Sequence, residues 1–185
     1  MKIPENAKLV HKGIIYDVYN WNQELFDGSK KIFEGLKRRP AVQVFAVGEE
    51  GIILLEEEQP GQESYLSIPG GGVDSDDVLA CAKRELLEET GFDSDDWTFW
   101  KKLELGLNIE FYTYYYIARN CRKTGNQSLD KGGEKIKIKF MQFDDFLETL
   151  KNGRVRNEAL QAMITSIKCD KNKAKEFSNL LFNFK

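Results

Sequence analysis

Histidine and cysteine, on which many metal sites and nucleophilic enzymes depend, are scarce in this sequence. Its 185 residues include one histidine, His11, and three cysteines that lie far apart. A single histidine excludes His-rich metal sites and argues against a Ser-His or Cys-His nucleophile pair. An odd number of distant cysteines argues against a disulfide framework and against a cysteine-type zinc site. Any chemistry of this protein must therefore depend on carboxylates.

Long apolar runs and long basic runs are also missing. No apolar run is long enough to span a bilayer, and the N-terminus lacks the apolar core of a signal peptide. We therefore expect a cytoplasmic protein with no membrane partner. The 27 Lys and Arg against 30 Asp and Glu give a net charge of −3. This slight acidity, without a long basic block, argues against bulk binding of nucleic acid.

The composition is that of an ordinary globular domain, with 41% hydrophobic and 12% aromatic residues. A chain of this length is expected to form one domain, with or without a small appendage, and to bury a core without disulfides or a structural metal. The first half has the pattern of strands, one helix follows, and helical periodicity dominates the end. This order predicts an α+β fold, arranged as an α/β/α sandwich.

Individual elements are predicted from periodicity, turn residues and helix-cap signals. They are, in chain order, strands over 9–20 and 23–36, the second with a turn at 27–29; a hairpin joining 41–47 to 52–55; a glycine-rich loop at 69–72; a helix that starts at the acidic residues 74–77 and ends at Thr90-Gly91; strands at 97–105, 111–118 and 135–143; and three helical segments around Phe146, Leu160 and Phe177.

Three glutamates lie together near the end of the central helix. Each residue of a helix advances by about 100°, which places Glu85 and Glu89 about 40° apart. Both fall within, or at the edge of, the apolar stripe that contains Val78, Ala82 and Leu86. Clustered carboxylates on a partly buried face repel one another unless a cation compensates. Oxygen ligands of this kind suit Mg²⁺ or Mn²⁺, and those ions suit phosphate substrates.

The alternative is an exposed acidic helix in which Arg84 pairs with Glu88 four residues later. It requires the glutamates to lie opposite the apolar stripe, which contradicts the placement of Glu85 and Glu89.

The glycines at 70–72 support the idea of a site. A backbone without side chains before a helix N-terminus approaches a phosphate or offers carbonyls to a metal, although three glycines alone usually indicate a turn. The glycines fit neither the P-loop nor the dinucleotide-binding motif. No Gly-Lys-Ser/Thr follows them, as a P-loop requires, and the acidic residues 74–77 would repel the pyrophosphate of a dinucleotide.

Together, the glycine loop and the helix closely resemble the Nudix box, which is a glycine, a glutamate and then Arg-Glu-aliphatic-x-Glu-Glu-x-Gly-aliphatic. Here Gly70 is followed after five residues by Asp76, and after seven more by the run Arg-Glu-Leu-Leu-Glu-Glu-Thr-Gly-Phe from Arg84. Asp76 stands where the pattern has glutamate, and Phe92 where it has an aliphatic residue. A loop one residue short is the alternative, which leaves the choice among the three glycines open.

More loosely, residues 8–168 resemble the ADP-ribose pyrophosphatase-like branch of the Nudix hydrolase superfamily. By this resemblance, residues 1–40 form an extra N-terminal β-region at the interface of a homodimer. Residues 41–185 form a Nudix-like catalytic domain with C-terminal helices, in which a mixed β-sheet lies between helices. The resemblance implies a pyrophosphohydrolase that cleaves a nucleoside diphosphate derivative. The leading substrate is ADP-ribose or an ADP-sugar, which would give AMP and a sugar phosphate.

The resemblance also implies roles for individual residues. The candidate general base, Glu134, lies in a glycine-containing loop, and its alternative role is a plain surface carboxylate; Glu110 is the second candidate. The remaining implied roles are Glu85 and Glu89 as principal ligands of Mg²⁺ or Mn²⁺, Glu88 as a further ligand or one acting through water, Arg84 as the group that orients the glutamates, the carbonyl of Pro69 as a backbone ligand, and Arg38, Gly70 and Gly71 as substrate-binding residues.

The competing interpretation is a non-catalytic Nudix-like module that senses a nucleotide. Such a protein would be free to lose metal ligands, whereas this chain retains all three glutamates and shows no additional DNA-binding domain. Within the enzyme interpretation, the sequence does not separate ADP-ribose from other ADP-sugars, NADH, dinucleoside polyphosphates or a nucleoside triphosphate.

Overall fold

A computed structural model describes residues 2–104, 106, 108–129, 133, 135–149, 155 and 157–182. None of the helices among them is both long and apolar enough to cross a membrane. The strands are β1 (Lys8–Lys12), β2 (Tyr16–Glu24), β3 (Lys30–Arg38), β4 (Ala41–Gly48), β5 (Gly51–Glu58), β6 (Tyr65–Ser67), β7 (Gly70–Gly72), β8 (Phe92–Asp93), β9 (Asp96–Glu104), β10 (Ile109–Glu110), β11 (Tyr112–Lys123) and β12 (Lys135–Met141), and the helices are α1 (Val78–Thr90), α2 (Phe143–Thr149), α3 (Glu158–Lys168) and α4 (Lys171–Phe182).

These strands form two sheets. The first sheet contains β1, β2 and β3 in antiparallel order, and β10 runs parallel to β3. The second sheet is mixed: β4 and β11 are parallel neighbours, whereas β5, β9 and β12 run antiparallel to the strands they pair with. The predicted α+β class with a mixed sheet is confirmed. The predicted division of the chain at residue 40 stays a prediction.

The second sheet carries an apolar core on each face. Successive residues of a strand point to opposite faces, so Val44 and Ala46 pack with Leu86 of α1, whereas Phe45 packs with the C-terminal helices. The ring centroids of Phe45 and Phe177 are 5.2 Å apart. The sheet therefore lies between α1 on one side and the C-terminal helices on the other.

Helix α1 begins and ends where the sequence predicts. The side chain of Asp77 accepts the backbone N–H of Ala80 at 2.9 Å and caps the N-terminus. At the other end Gly91 adopts the left-handed conformation, with φ 72°, and donates its N–H to the Leu87 carbonyl. These caps fix the bounds of the helix, so that Leu86 is fully buried and Glu85 lies beside it.

The glycine-rich segment differs from the prediction, because it is a strand and not a loop. β7 pairs with β4, with Gly71 opposite Val42. A Cβ atom at Gly70 would lie 2.2 Å from the Val42 carbonyl oxygen. Glycine is therefore required here for close backbone approach, and the strand is made by pairing with β4 despite the low strand propensity of glycine.

Other boundaries also differ. The strand predicted over 9–20 is broken between β1 and β2, and the strand predicted to residue 143 ends at Met141 because α2 begins at Phe143. The strand predicted over 111–118 continues to Lys123, with a register shift after Ala118. The short strands β6, β8 and β10 were not predicted, because two or three residues contain too little alternation to reveal a strand.

Glu110 ties the N-terminus to the first sheet. Its carboxylate accepts the backbone N–H of Ile3 at 2.6 Å and forms an ion pair with Lys37 of β3 at 3.1 Å. Burial alone would raise the pKa of Glu110, but these partners lower it overall. Because the pKa is lower in the folded state, the carboxylate stabilises the fold above its unfolded pKa. That contribution is lost as the pH falls through the folded pKa.

We expect Glu110→Gln to lower the free energy of unfolding at pH 7 by about 1–2 kcal/mol. As the pH falls through the lowered pKa of Glu110 the wild-type carboxyl is protonated, so the difference between the two proteins should shrink in acid. Urea unfolding at pH 7 and in acid measures this, with Glu34→Gln on exposed β3 as the control. An equal loss at both pH values would show that the charge of Glu110 does not matter.

Candidate active site

Glu85 and Glu89 lie where α1 meets β7. The Glu89 Oε2 atom accepts the backbone N–H of Gly70 at 2.8 Å. A Cβ atom at Gly71 would lie 2.4 Å from Cδ and 2.5 Å from both carboxylate oxygens of Glu85. The glycine backbone of β7 therefore lies against both glutamates, and a side chain at Gly71 would displace Glu85.

Arg84 lies among the carboxylates. Its Nη2 atom is 2.9 Å from Glu85 Oε1 and 3.2 Å from Asp74 Oδ2, and its Nη1 atom is 2.9 Å from Glu88 Oε2. A rigid guanidinium with three carboxylate partners fixes their orientation relative to one another. Sequence reasoning missed Asp74, because its distance from Arg84 along the chain gives no signal of contact.

The alternative of an exposed acidic helix predicted an ion pair between Arg84 and Glu88, and this pair is present. The glutamates of the helix are not equally exposed, however. The side chain of Glu85 is 13% exposed, against 42% for that of Glu88. Glu85 therefore lies against the protein, as its position on the apolar stripe predicts.

Charge in this site is only partly compensated. Burial raises the pKa of Glu85, and the neighbouring Glu88 raises it further, while Arg84 opposes both. Burial alone would lower the pKa of Arg84, but its carboxylate partners raise it overall. A half-buried carboxylate with a raised pKa next to a second carboxylate favours the binding of a cation.

The donor set fits Mg²⁺ or Mn²⁺ by its chemistry, since these ions prefer carboxylate oxygens. In the described part of the chain, however, no three Asp, Glu, His or Cys side chains converge into a group that could hold a metal ion. Glu89 accepts a hydrogen bond from Gly70, and Glu85 and Glu88 form ion pairs with Arg84. Metal binding would therefore require the carboxylates to exchange some of these partners for the ion.

The backbone around Pro69 bears on its suggested role. The Pro69 carbonyl accepts the N–H of Val44 at 2.8 Å as part of the sheet. Coordination of a metal would thus use the second lone pair of an oxygen that is already hydrogen-bonded. Pro69 as a ligand stays a prediction.

Other candidate residues have different contacts or lie outside the described residues. Arg38 packs its guanidinium over the ring of Phe111, 4.6 Å from the centroid, and 5.8 Å from that of Tyr16. Glu110 holds the N-terminus, as described above. Glu134 lies outside the described residues. Arg38 and Glu134 therefore stay predictions.

The segment that follows β11 packs on the C-terminal end of α1. Ser128 donates its N–H to the Glu88 carbonyl at 2.8 Å. The side-chain amide of Gln127 donates to the Glu89 carbonyl at 2.7 Å and to the Ile136 carbonyl at 3.3 Å. This segment brings residues 127 and 128 to the backbone of the glutamates, a contact that the sequence pattern did not reveal.

The site is a cluster of glutamates on a helix that faces a glycine strand, with an arginine among the glutamates. This arrangement agrees with the protein family that the sequence motif indicated. The chain belongs to the NUDIX family, whose domain model matches residues 37–162. The resemblance inferred from Gly70 to Phe92 is thereby confirmed.

Two curated proteins are similar over shorter stretches. The chain is 33% identical over 104 residues to ADP compounds hydrolase NudE of Escherichia coli (strain K12), covering 54% of this chain and 56% of that protein. It is 43% identical over 56 residues to the ADPR responsive transcriptional repressor NtrR of Acinetobacter baylyi, covering 28% of this chain and 22% of that protein. The matches thus span about half or less of these relatives.

A solved structure shares the fold. The crystal structure of an ADP compounds hydrolase matches with a TM-score of 0.62 and 22% identity, covering 78% of this chain and 81% of that one. At this identity the likeness concerns the fold alone.

Proposed function

We propose that this protein is a metal-dependent Nudix hydrolase that cleaves the diphosphate linkage of a nucleoside diphosphate derivative. The substrate we infer is ADP-ribose or an ADP-sugar, which would yield AMP and a sugar phosphate. The observation that carries this proposal is the placement of Glu85 and Glu89 against the glycine strand β7 with Arg84 among the carboxylates. Similarity to an ADP compounds hydrolase supports the substrate class.

The residues have distinct roles in this proposal. Glu85 and Glu89 would hold Mg²⁺ or Mn²⁺, with Glu88 as a further ligand or one acting through water, and Arg84 keeps Glu85 and Glu88 oriented. The bound ion would neutralise charge on the phosphates and lower the pKa of the attacking water. The backbone of Gly70 and Gly71 lies against Glu89 and Glu85, and in this proposal it would contribute to substrate binding next to the ion.

Glu134 is the proposed general base. It follows Ser128 by six residues in the sequence, and Ser128 donates its N–H to the carbonyl of Glu88. Glu134→Gln should lower turnover by about a hundredfold while leaving the affinity for Mn²⁺ unchanged. A parallel loss of turnover and Mn²⁺ affinity would assign Glu134 to the metal instead.

A panel assay tests the proposed reaction. Purified protein with Mg²⁺ is incubated with ADP-ribose, ADP-glucose, NADH, a dinucleoside polyphosphate and the common nucleoside triphosphates, and the products are separated by chromatography. We expect AMP and ribose 5-phosphate from ADP-ribose, or AMP and the sugar phosphate from a related ADP-sugar. Preferential release of pyrophosphate from a triphosphate would overturn the assigned substrate class.

The second candidate function is a nucleotide sensor without catalysis. It is favoured by one observation, the similarity of a 56-residue stretch to an ADPR responsive transcriptional repressor. Calorimetry with ADP-ribose separates the two functions. A sensor would bind ADP-ribose equally well with and without Mg²⁺ and would leave it intact, whereas the enzyme would consume it only with the ion.

We also propose that the protein is a homodimer that uses its N-terminal sheet. Ile32 and Phe33 are neighbours on β3, so they point to opposite faces of the sheet, yet they are 72% and 42% exposed. Ile14, shortly before β2, and Phe26, shortly after it, are fully exposed as well. Apolar residues on both faces of one sheet mark it as an interaction surface, and a second copy of the chain is the proposed partner.

Light scattering tests this assembly. The wild type should have the mass of a dimer at micromolar concentration, and Ile32→Lys should shift it toward the monomer by burying an unpaired charge at the interface. Lys31→Gln, on the same exposed strand, serves as the control. A monomeric wild type would contradict the proposal.

A further inference from the structure

Asp74, in the segment between β7 and α1, connects the core to Arg84. Its Oδ2 atom accepts from Arg84 Nη2 at 3.2 Å, and its Oδ1 atom accepts the S–H of Cys81 at 3.3 Å. Cys81 is a residue of α1, is 2% exposed and packs in the core between this helix and the sheet. The carboxylate of Asp74 is therefore anchored on one side to a rigid part of the protein and on the other to the guanidinium.

The Nη2 atom of Arg84 is shared between Asp74 and Glu85. Each carboxylate that it contacts limits how strongly it neutralises the other. Without the charge of Asp74, the guanidinium would pair more fully with Glu85 and Glu88. Those carboxylates would then be less available to a divalent cation, because Arg84 and the ion compete for the same oxygens.

We propose that Asp74, held in place by Cys81, is a positioning residue that limits the hold of Arg84 on the glutamates and thereby raises the affinity of the site for a divalent cation. The proposal rests on the proposed function, in which Glu85 and Glu89 hold that cation. Asp74 acts through Arg84 and contacts neither the substrate nor the ion.

Asp76 provides a matched control. It occupies the acidic position of the Nudix pattern, but among the described residues Arg84 pairs with Asp74, Glu85 and Glu88 and not with Asp76. Asp74→Asn and Asp76→Asn remove the same charge two residues apart. A general electrostatic effect would therefore weaken cation binding similarly in both variants, whereas positioning would separate them.

Titration calorimetry of the full-length chain with Mn²⁺ alone measures the effect. We expect Asp74→Asn to weaken Mn²⁺ binding by about tenfold. Asp76→Asn should weaken it by less than about twofold, because Asp76 makes no ion pair with Arg84 among the described residues and acts only through screened, longer-range electrostatics. Asp74→Glu should restore part of the affinity. Equal weakening by both Asn variants, or no weakening by Asp74→Asn, would overturn the proposal. Thermal unfolding of each variant shows whether the fold is retained.

Cys81→Ala keeps the ion pair of Asp74 with Arg84 and removes the buried sulfur, with its contacts to Asp74 at 3.3 Å and to Ser75 Oγ at 3.4 Å. It should weaken Mn²⁺ binding in the same direction by a smaller factor, and an unchanged affinity would contradict the anchoring role of Cys81. This variant keeps the proposal testable if Asp74→Asn fails to fold. Mn²⁺ binding is measured without substrate, so the two proposals can fail separately. Absence of hydrolysis would refute the proposed function but not the positioning role. Normal Mn²⁺ affinity in Asp74→Asn would refute the positioning role but not the proposed function.

Discussion

Glu89→Gln is expected to reduce hydrolysis by about a thousandfold, equivalent to ~4 kcal/mol of transition-state stabilisation, while the fold stays intact. Glutamine keeps an oxygen that can accept the N–H of Gly70, the 2.8 Å contact that joins α1 to β7. It lacks the negative charge that a divalent cation requires of its ligand. The effect should therefore fall on metal binding and turnover, and not on folding.

Turnover of the preferred compound and calorimetric Mn²⁺ affinity are the measurements for this variant. Glu176→Gln removes a charge from an exposed position on α4, a helix on the opposite face of the sheet, and should leave both quantities unchanged. If Glu89→Gln retained more than about a tenth of wild-type turnover, Glu89 would not be a principal metal ligand.

Gly71→Ala is expected to have the second largest effect. The added Cβ would lie 2.5 Å from both carboxylate oxygens of Glu85, far closer than van der Waals contact allows, so the carboxylate must move. A displacement of this order in a site that holds reacting groups lowers turnover by about a hundredfold. The strand β7 should still form, because alanine donates and accepts the same backbone hydrogen bonds as glycine.

The neighbouring glycine supplies the control. Apart from the two residues next to Gly72 in the sequence, the nearest atom to a Cβ at Gly72 would be Arg39 Cδ, at 3.8 Å. This is an ordinary van der Waals contact. Gly72→Ala should therefore retain near wild-type turnover. Equal losses in both variants would show that the strand tolerates no side chain at all, and would remove the argument for a specific contact between Gly71 and Glu85.

Local signals were sufficient to predict α1 and its orientation. The acidic residue at its start and the glycine at its end are cap residues, and both act as caps. The phase of the helix followed from periodicity, because Leu86 and Ala82 must face the core and Glu85 lies next to them. The more exposed Glu88 also agrees with its angle on the helix.

Contacts between distant segments were not predictable. The strand β7 contains only glycine, whose propensity argues against a strand, and it exists because β4 offers partners. The ion pair of Arg84 with Asp74 depends on how the segment before α1 folds back, which the spacing does not specify. The stacking of Arg38 on Phe111 joins residues that only the tertiary fold brings together.

The most direct test of the central claim is the release of AMP from ADP-ribose by wild-type protein and by Glu85→Gln/Glu89→Gln, each assayed with Mg²⁺ and with a chelator. We predict that AMP forms only with wild-type protein and Mg²⁺, and that the folded double variant is inactive. Equal rates in the double variant, or a wild-type rate that the chelator does not change, would contradict a metal-dependent hydrolase built on these glutamates.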